Sequence, residues 1–283
     1  GINAEYGVSM SSSIDAEAIS ESSEEFDLSI MIMKSKRLNE IPNVPEQVNT
    51  LVLLRNQLSN LTALSKSTQL TILNLQENNI SDVKPLSSLI NLTQLNLRQN
   101  QIIDASPLES LIKLEQLKLG LNKIDNLQPF KKLVCLKQLE LDGNGIRDIQ
   151  PLSQLKLEWL DVGFNKIAEL PEFQPTLQCL FIQSNRLTSI ENVKSIPNLI
   201  HLNLSQNLVS DISPLQYCLQ LESCWVDRNK IEKQPDFSLL KNIKDIWIEF
   251  GFKGQNPFLA SKQQEHAFIP LVSFDGNSTN SFK

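Results

Sequence analysis

Apolar residues along this chain come in short bursts that recur as whole units. The segment Leu73-x-Leu75-x-x-Asn78-x-Ile80 returns as Leu95-x-Leu97-x-x-Asn100-x-Ile102, Leu117-x-Leu119-x-x-Asn122-x-Ile124 and Leu139-x-Leu141-x-x-Asn144-x-Ile146. It continues through Asn165, Asn185, Asn207 and Asn229, and extends back to Leu51-x-Leu53-x-x-Asn56-x-Leu58. Successive asparagines lie 22, 22, 22, 22, 21, 20, 22 and 22 residues apart, a regularity that marks an array of stacked units. Side chains of a strand alternate between its faces, so the paired leucines point inward and the residues between them outward. Each unit therefore predicts one short strand, a turn at the asparagine, and a branched or leucine side chain that refills the core.

The asparagine suits the place where the chain leaves the sheet. Its amide both donates and accepts, so it can satisfy backbone groups that the turn would otherwise bury unpaired. A step of 20 back from Asn56 reaches Lys36, behind Met31 and Met33, and a step of 22 on from Asn229 reaches Gly251, behind Ile246 and Ile248. Both read as end units that have lost the asparagine. A second repeated feature follows it: Asp82-Val83-x-Pro85-Leu86, Asp104-Ala105-x-Pro107-Leu108, Asp148-Ile149-x-Pro151-Leu152 and Asp211-Ile212-x-Pro214-Leu215, with Pro129-Phe130 a partial match. Proline fits the first position of a short helix, where its missing N–H is not needed, and the few residues available predict 3₁₀ turns in part. Strands on one side and helical turns on the other force curvature. At about 4.8 Å per strand, roughly ten strands give a concave sheet about 50 Å long.

Residues 1–27 differ in character, being rich in Ser and in acids such as Asp15, Glu21 and Glu24 with few apolar positions, and predict a loosely ordered arm. The solenoid is expected over 28–250, a cap over 251–275 from Asn256-Pro257-Phe258 and Phe268 to Phe274, and a frayed tail over 276–283. The start, Gly1 to Met10, has no basic-then-apolar leader layout, and Met10 is itself a natural starting residue.

Charge and candidate chemistry narrow the function. A net charge of −6 disfavours nucleic acid and anionic membrane as partners, and no run approaches the ~18 apolar residues of a membrane span. Cys135, Cys179, Cys218 and Cys224 form no CxxC pair and signal neither a zinc site nor a disulfide framework. Reduced thiols and an intracellular location, cytoplasm or nucleus, are expected. Five glycosylation-type sequons, at Asn60, Asn79, Asn91, Asn203 and Asn277, are what an Asn- and Ser-rich chain produces by composition. No phosphate-cradling loop, nucleophile with a base, or metal cluster appears, so neither catalysis nor a cofactor is expected. His201 and His266 lack partners at ligand spacing and read as surface histidines.

With their N-x-I-x-D-I-x-P-L continuation, the repeats resemble the leucine-rich-repeat subfamily typified by the regulatory subunit of type-1 serine/threonine protein phosphatase. The run Leu221-Glu222-Ser223-Cys224-Trp225-Val226-Asp227-Arg228-Asn229 is similar to that subunit's penultimate repeat, and Phe268-Ile269-Pro270-Leu271-Val272-Ser273-Phe274-Asp275-Gly276 to its terminal cap. Gly251 to Gln255 departs from the family's tighter cap, and Ile41-Pro42-Asn43-Val44-Pro45 resembles the entry of bacterial repeats. The resemblance implies an α/β leucine-rich-repeat solenoid: a right-handed curved horseshoe with a parallel sheet on its concave face and 3₁₀ or α turns on its convex face.

Residues six, four and two before each ladder asparagine are the concave positions. The early repeats place Thr50, Val52, Leu54, Ile72, Asn74, Gln76, Gln94, Asn96, Arg98, Gln116, Lys118 and Gly120 there, mostly neutral. The later ones place Glu140, Asp142, Trp159, Asp161, Phe181, His201, Trp225, Asp227, Asp245, Trp247 and Glu249 there, including all three tryptophans of the chain. Aromatics flanked by acids are the composition of interface hot spots, which predicts a basic protein partner held by a monomeric scaffold. The resemblance implies the phosphatase catalytic subunit as that partner. An internalin-like adhesin and a cytoskeletal or axonemal adaptor use the same repeats, and fold alone does not separate the three.

Overall fold

A computed structural model of the protein describes residues 28–233 and 236–247. Within them, eleven three-residue strands form one parallel sheet in strict chain order. The strands are β1 (Ile30–Ile32), β2 (Thr50–Val52), β3 (Ile72–Asn74), β4 (Gln94–Asn96), β5 (Gln116–Lys118) and β6 (Gln138–Glu140). They continue as β7 (Trp159–Asp161), β8 (Cys179–Phe181), β9 (His201–Asn203), β10 (Ser223–Trp225) and β11 (Asp245–Trp247). The register pairs repeat with repeat at the predicted spacing, as Leu73 with Leu95 and Leu95 with Leu117. Met31 pairs with Leu51, so the unit without an asparagine joins the sheet and is the first among the described residues. The arm over 1–27, Gly251, the cap, the tail and His266 lie outside the described residues.

The back of most repeats is a 3₁₀ turn, among them Lys84–Ser88, Ser106–Ser110, Gln128–Lys132 and Ser213–Tyr217, while the connections from β1 to β2 and from β7 to β8 have none. Proline stands at the second residue of these turns, one place later than expected. Three places before the proline stands an acid whose role the repeat pattern alone did not reveal. Asp82, Asp104, Asp148 and Asp211 each accept from the backbone N–H two residues on, at 2.8 Å. An acidic side chain thus caps a turn too short to cap itself. That bond and a second from the Ser106 side chain hold the Asp104 carboxyl below the usual range.

The core is a column of leucines between sheet and turns, with Leu73, Leu75, Leu95 and Leu97 from the strands and Leu86, Leu108 and Phe130 from the turns all buried. The asparagine ladder stitches this column. Asn122 donates from Nδ2 to the carbonyls of Leu97 and Leu119 at 3.0 Å, and its Oδ1 accepts from Ile102 N–H at 3.0 Å. Asn56, Asn78, Asn100, Asn144, Asn165, Asn185, Asn207 and Asn229 repeat this bridge to the preceding unit. Asn144 and Asn229 are half-buried, the other seven buried.

A feature not anticipated is the conformation just before each asparagine. Arg55, Glu77, Gln99, Leu121, Gly143, Phe164, Ser184, Gln206 and Arg228 all have φ between +53° and +63°. This left-handed step turns the chain off the sheet and aims the carbonyls at the amide. It costs a residue with a Cβ on the order of 1 kcal/mol, offset by the ladder bonds it enables. Gly143 is the single glycine at this position, and the lone clue in the sequence.

Candidate functional site

Three rows of outward residues run across the strands. The leading row, six before each asparagine, reads Gln94, Gln116, Gln138, Trp159, Cys179, His201, Ser223 and Asp245. The middle row, four before, reads Asn96, Lys118, Glu140, Asp161, Phe181, Asn203, Trp225 and Trp247. The trailing row, two before, reads Arg98, Gly120, Asp142, Gly163, Gln183, Ser205 and Asp227. Strand register aligns the first two rows, as Trp159 with Cys179, Asp161 with Phe181 and Trp225 with Trp247. Glu249 belongs to the trailing row by sequence and lies outside the described residues.

Several of these positions are less open than their register implies. His201, read as a surface histidine, is 2% exposed. Its partners in register, Cys179 and Ser223, are buried too, so the leading row lies against the sheet there. Thr50 and Val52 are likewise buried at the other end.

The largest departure concerns charge. Glu140 and Asp142 were expected to be free acids of a negative rim, and both are paired. Arg98 reaches over the neighbouring strand and grips Asp142 with two nitrogens, at 2.5 and 2.9 Å. Glu140 lies 2.9 Å from the Lys118 amine and 3.7 Å from Arg98. The reach works because Gly120 stands between: a Cβ there would fall on both the Arg98 guanidinium and the Asp142 carboxylate. Bidentate pairing of this kind is among the stronger side-chain contacts. From the other side Gln183 lies over Gly163 in the same way. Two glycines in the trailing row were the available signal, each a gap that a long neighbour fills.

Asp161 sits beside this cluster and is half-buried. Burial, and then the neighbouring Asp142 charge, push its carboxyl up to about 8, while its hydrogen bond from Gly163 N–H and the more distant Arg98 oppose the rise. At neutral pH it is therefore largely protonated and adds little negative charge. Trp159 and Phe181 cover the adjoining surface, their rings 5.5 Å apart and tilted by 46°. Tilted rings at that distance stabilise one another, so this aromatic pair serves the sheet surface itself.

Strands β10 and β11 are arranged differently. Trp225 is half-buried and Trp247 is 61% exposed. Asp227 accepts from the Ser205 hydroxyl, and Asp245 is exposed. Among the described residues no Lys, Arg or His pairs with either carboxylate. Among the described residues no group of three or more His, Cys, Asp or Glu converges as a metal site would require. Burial pushes the Cys179 and Cys218 thiols up to about 12 and Cys224 higher still, which leaves them as packing groups. No helix among the described residues is long and apolar enough to cross a membrane.

Comparison with known proteins agrees with this architecture. The family model described as leucine-rich repeats (2 copies) matches residues 68–110, 90–132 and 175–217. The human serine/threonine-protein kinase 11-interacting protein is 28% identical over 87 residues, which is 29% of this chain and 8% of that protein. The chain thus spans under a tenth of that relative's length. Among solved structures, the leucine-rich repeat domain of APL1B superposes with a TM-score of 0.65 at 19% identity, covering 79% of this chain and 69% of that one. The Listeria monocytogenes internalin InlF gives 0.59 at 20% identity over 80% of this chain and 87% of its own. At these identities the likeness is one of fold.

Proposed function

From the premise that the chain is a leucine-rich-repeat protein, a scaffold suited to binding other proteins, we propose that it is an intracellular regulatory subunit. Its partner is the catalytic subunit of type-1 serine/threonine protein phosphatase, held against the later half of the concave face. The observation that carries this reading is the solvated aromatic and acidic surface at β10 and β11, within the run Leu221 to Asn229 that is similar to the phosphatase regulator's penultimate repeat. Trp225 and Trp247 offer large apolar area with little rotamer entropy to lose, and Asp227 and Asp245 give a negative rim that steers a basic surface. Free cysteines, one of them the exposed Cys135, support a reducing compartment.

The test is capture of purified phosphatase catalytic subunit by the full chain. Retention at micromolar concentration, weakened by Asp227→Lys with Asp245→Lys and blunted by salt, is the expected result. A folded protein that retains none of the enzyme rules the phosphatase out and leaves the scaffold to another partner.

A further inference from the structure

Strands β10 and β11 carry a constellation that occurs nowhere else on the described concave face. Trp225 and Trp247 are register partners on adjacent parallel strands, about 4.8 Å apart at the backbone, and both side chains point outward. Asp227 follows the first tryptophan by two residues and Asp245 precedes the second by two, so a carboxylate stands on each side of the indole pair along the strands. Neither acid has a cationic partner among the described residues, in contrast to Glu140 and Asp142. Nor is either indole engaged with another ring there, in contrast to Trp159 on Phe181.

We infer that this end of the concave face is a subsite for an arginine side chain of the partner, its guanidinium stacked on the Trp225 and Trp247 rings, paired with Asp245 and drawn also by the charge of Asp227. Charge and shape both select that group. A cation over an indole face is attracted by the ring quadrupole, and arginine is the cation that does this most often. Its planar fork matches carboxylates and stacks flat, while a lysine amine does neither as well. A neutral apolar anchor would cover the rings but leave two carboxylates desolvated without a partner. The subsite rests on the protein-binding reading of the face and specifies what the partner must present, whichever protein that is.

The probe is the short peptide acetyl-Gly-Arg-Gly amide, titrated into the full chain and followed through the three indole N–H signals in a nitrogen–proton NMR spectrum, assigned by single Trp→Phe replacements. The signals of Trp225 and Trp247 are expected to shift with roughly millimolar affinity, as suits one cation–π contact with its carboxylates, and that of Trp159 to stay. The lysine peptide is expected to bind several-fold more weakly, and the citrulline peptide, uncharged but of the same shape, not measurably. Asp245→Asn at the surface and Asp227→Asn, which keeps a side-chain oxygen to accept from Ser205, are expected to weaken the arginine peptide several-fold. Unmoved Trp225 and Trp247 signals, equal movement of all three, or equal binding of arginine and citrulline overturns the subsite. The phosphatase reading fails separately: peptide binding without phosphatase capture leaves the subsite with a different owner, and capture without peptide binding leaves the phosphatase held by other contacts.

Discussion

The middle of the concave face, β4 to β7, and its end, β10 and β11, contain the same kinds of residue. Each has tryptophan and two or more acids in the outward rows, and read by register they are equivalent. In three dimensions they are opposites. In the middle, Arg98 crosses Gly120 to hold Asp142, Lys118 holds Glu140, Asp161 keeps its proton and Trp159 leans on Phe181. At the end, Trp247 and Asp245 are exposed, Trp225 and Asp227 are half-buried, and neither acid has a cation supplied from within the described residues. Like composition therefore marks a self-satisfied surface in one place and an unsatisfied one in the other, and the second is where a partner gains most.

The contrast is broken most directly at the tryptophans. Trp225→Ala is expected to weaken partner capture by about 2–4 kcal/mol, the range of a central aromatic hot spot. Trp159→Ala is expected to lower the thermal midpoint, through loss of the Phe181 contact, while changing capture much less. A capture assay in which Trp159 matters as much as Trp225 would mean that the middle is also part of the interface.

The interior offers a control that ignores the outer contrast. Asn122 lies beneath the middle and Asn207 towards the end, and both make the same bonds to the preceding repeat. Each replaced by Ala is expected to cost on the order of 1–3 kcal/mol, because backbone groups in the turn lose their partner. Gln116→Ala on the open face is expected to be nearly neutral. Equal midpoints for Asn122→Ala and Gln116→Ala would contradict the ladder.

The clamp is the next step down. Arg98→Ala leaves Asp142 buried beside Glu140 and Asp161 without its counter-ion, at an expected cost of about 1–2 kcal/mol once solvent screening is allowed for. Asp245→Asn at the open end is expected to stay within about 0.5 kcal/mol, since nothing there depends on that charge for folding. Urea midpoints of the two variants decide the matter, and similar values would mean that the clamp is ornamental.

Much of this was legible in the chain and some was not, for physical reasons. Inward positions are set by a period of two and a repeat of about 22, both local properties, so Leu95, Leu97 and Asn100 could be placed from sequence. Outward charge depends on side chains from other repeats: Arg98 meets Asp142 across 44 residues, and that pairing is a matter of reach over a glycine rather than of pattern. The burial of His201 was hidden likewise, since it follows from how closely Cys179 and Ser223 lie to the sheet. The left-handed step before each asparagine was masked because ordinary residues such as Gln99 and Leu121 occupy it and the ladder supports them.

The smallest effect separates the two regions by pH. In the middle row, Asn74, Asn96 and Asn203 each accept from the N–H two residues on, at 3.0 Å, and Asp161 makes the same bond to Gly163 at 2.9 Å. Asp161 thus does the work of an asparagine, and its protonated form is the one the surroundings favour. Its ordinary value is 3.8 and its folded value about 8, so between these limits the folded chain holds a proton that the unfolded chain has released. Stability therefore falls as pH rises from about 4 towards 8, and levels off above. The slope from one such group is at most ~1.4 kcal/mol per pH unit, and partial solvent access brings it below about 1. Asp161→Asn keeps the hydrogen bond to Gly163 and removes the titration, so the variant is expected to match the parent near pH 4 and exceed it increasingly up to pH 8. Asp245→Asn, at the solvated end, is expected to follow the parent throughout. Urea unfolding at pH 5, 6, 7 and 8 reads the difference, and parallel curves for Asp161→Asn and the parent would show that this carboxyl ionises normally in the folded protein and that the middle of the face is more charged than its packing implies.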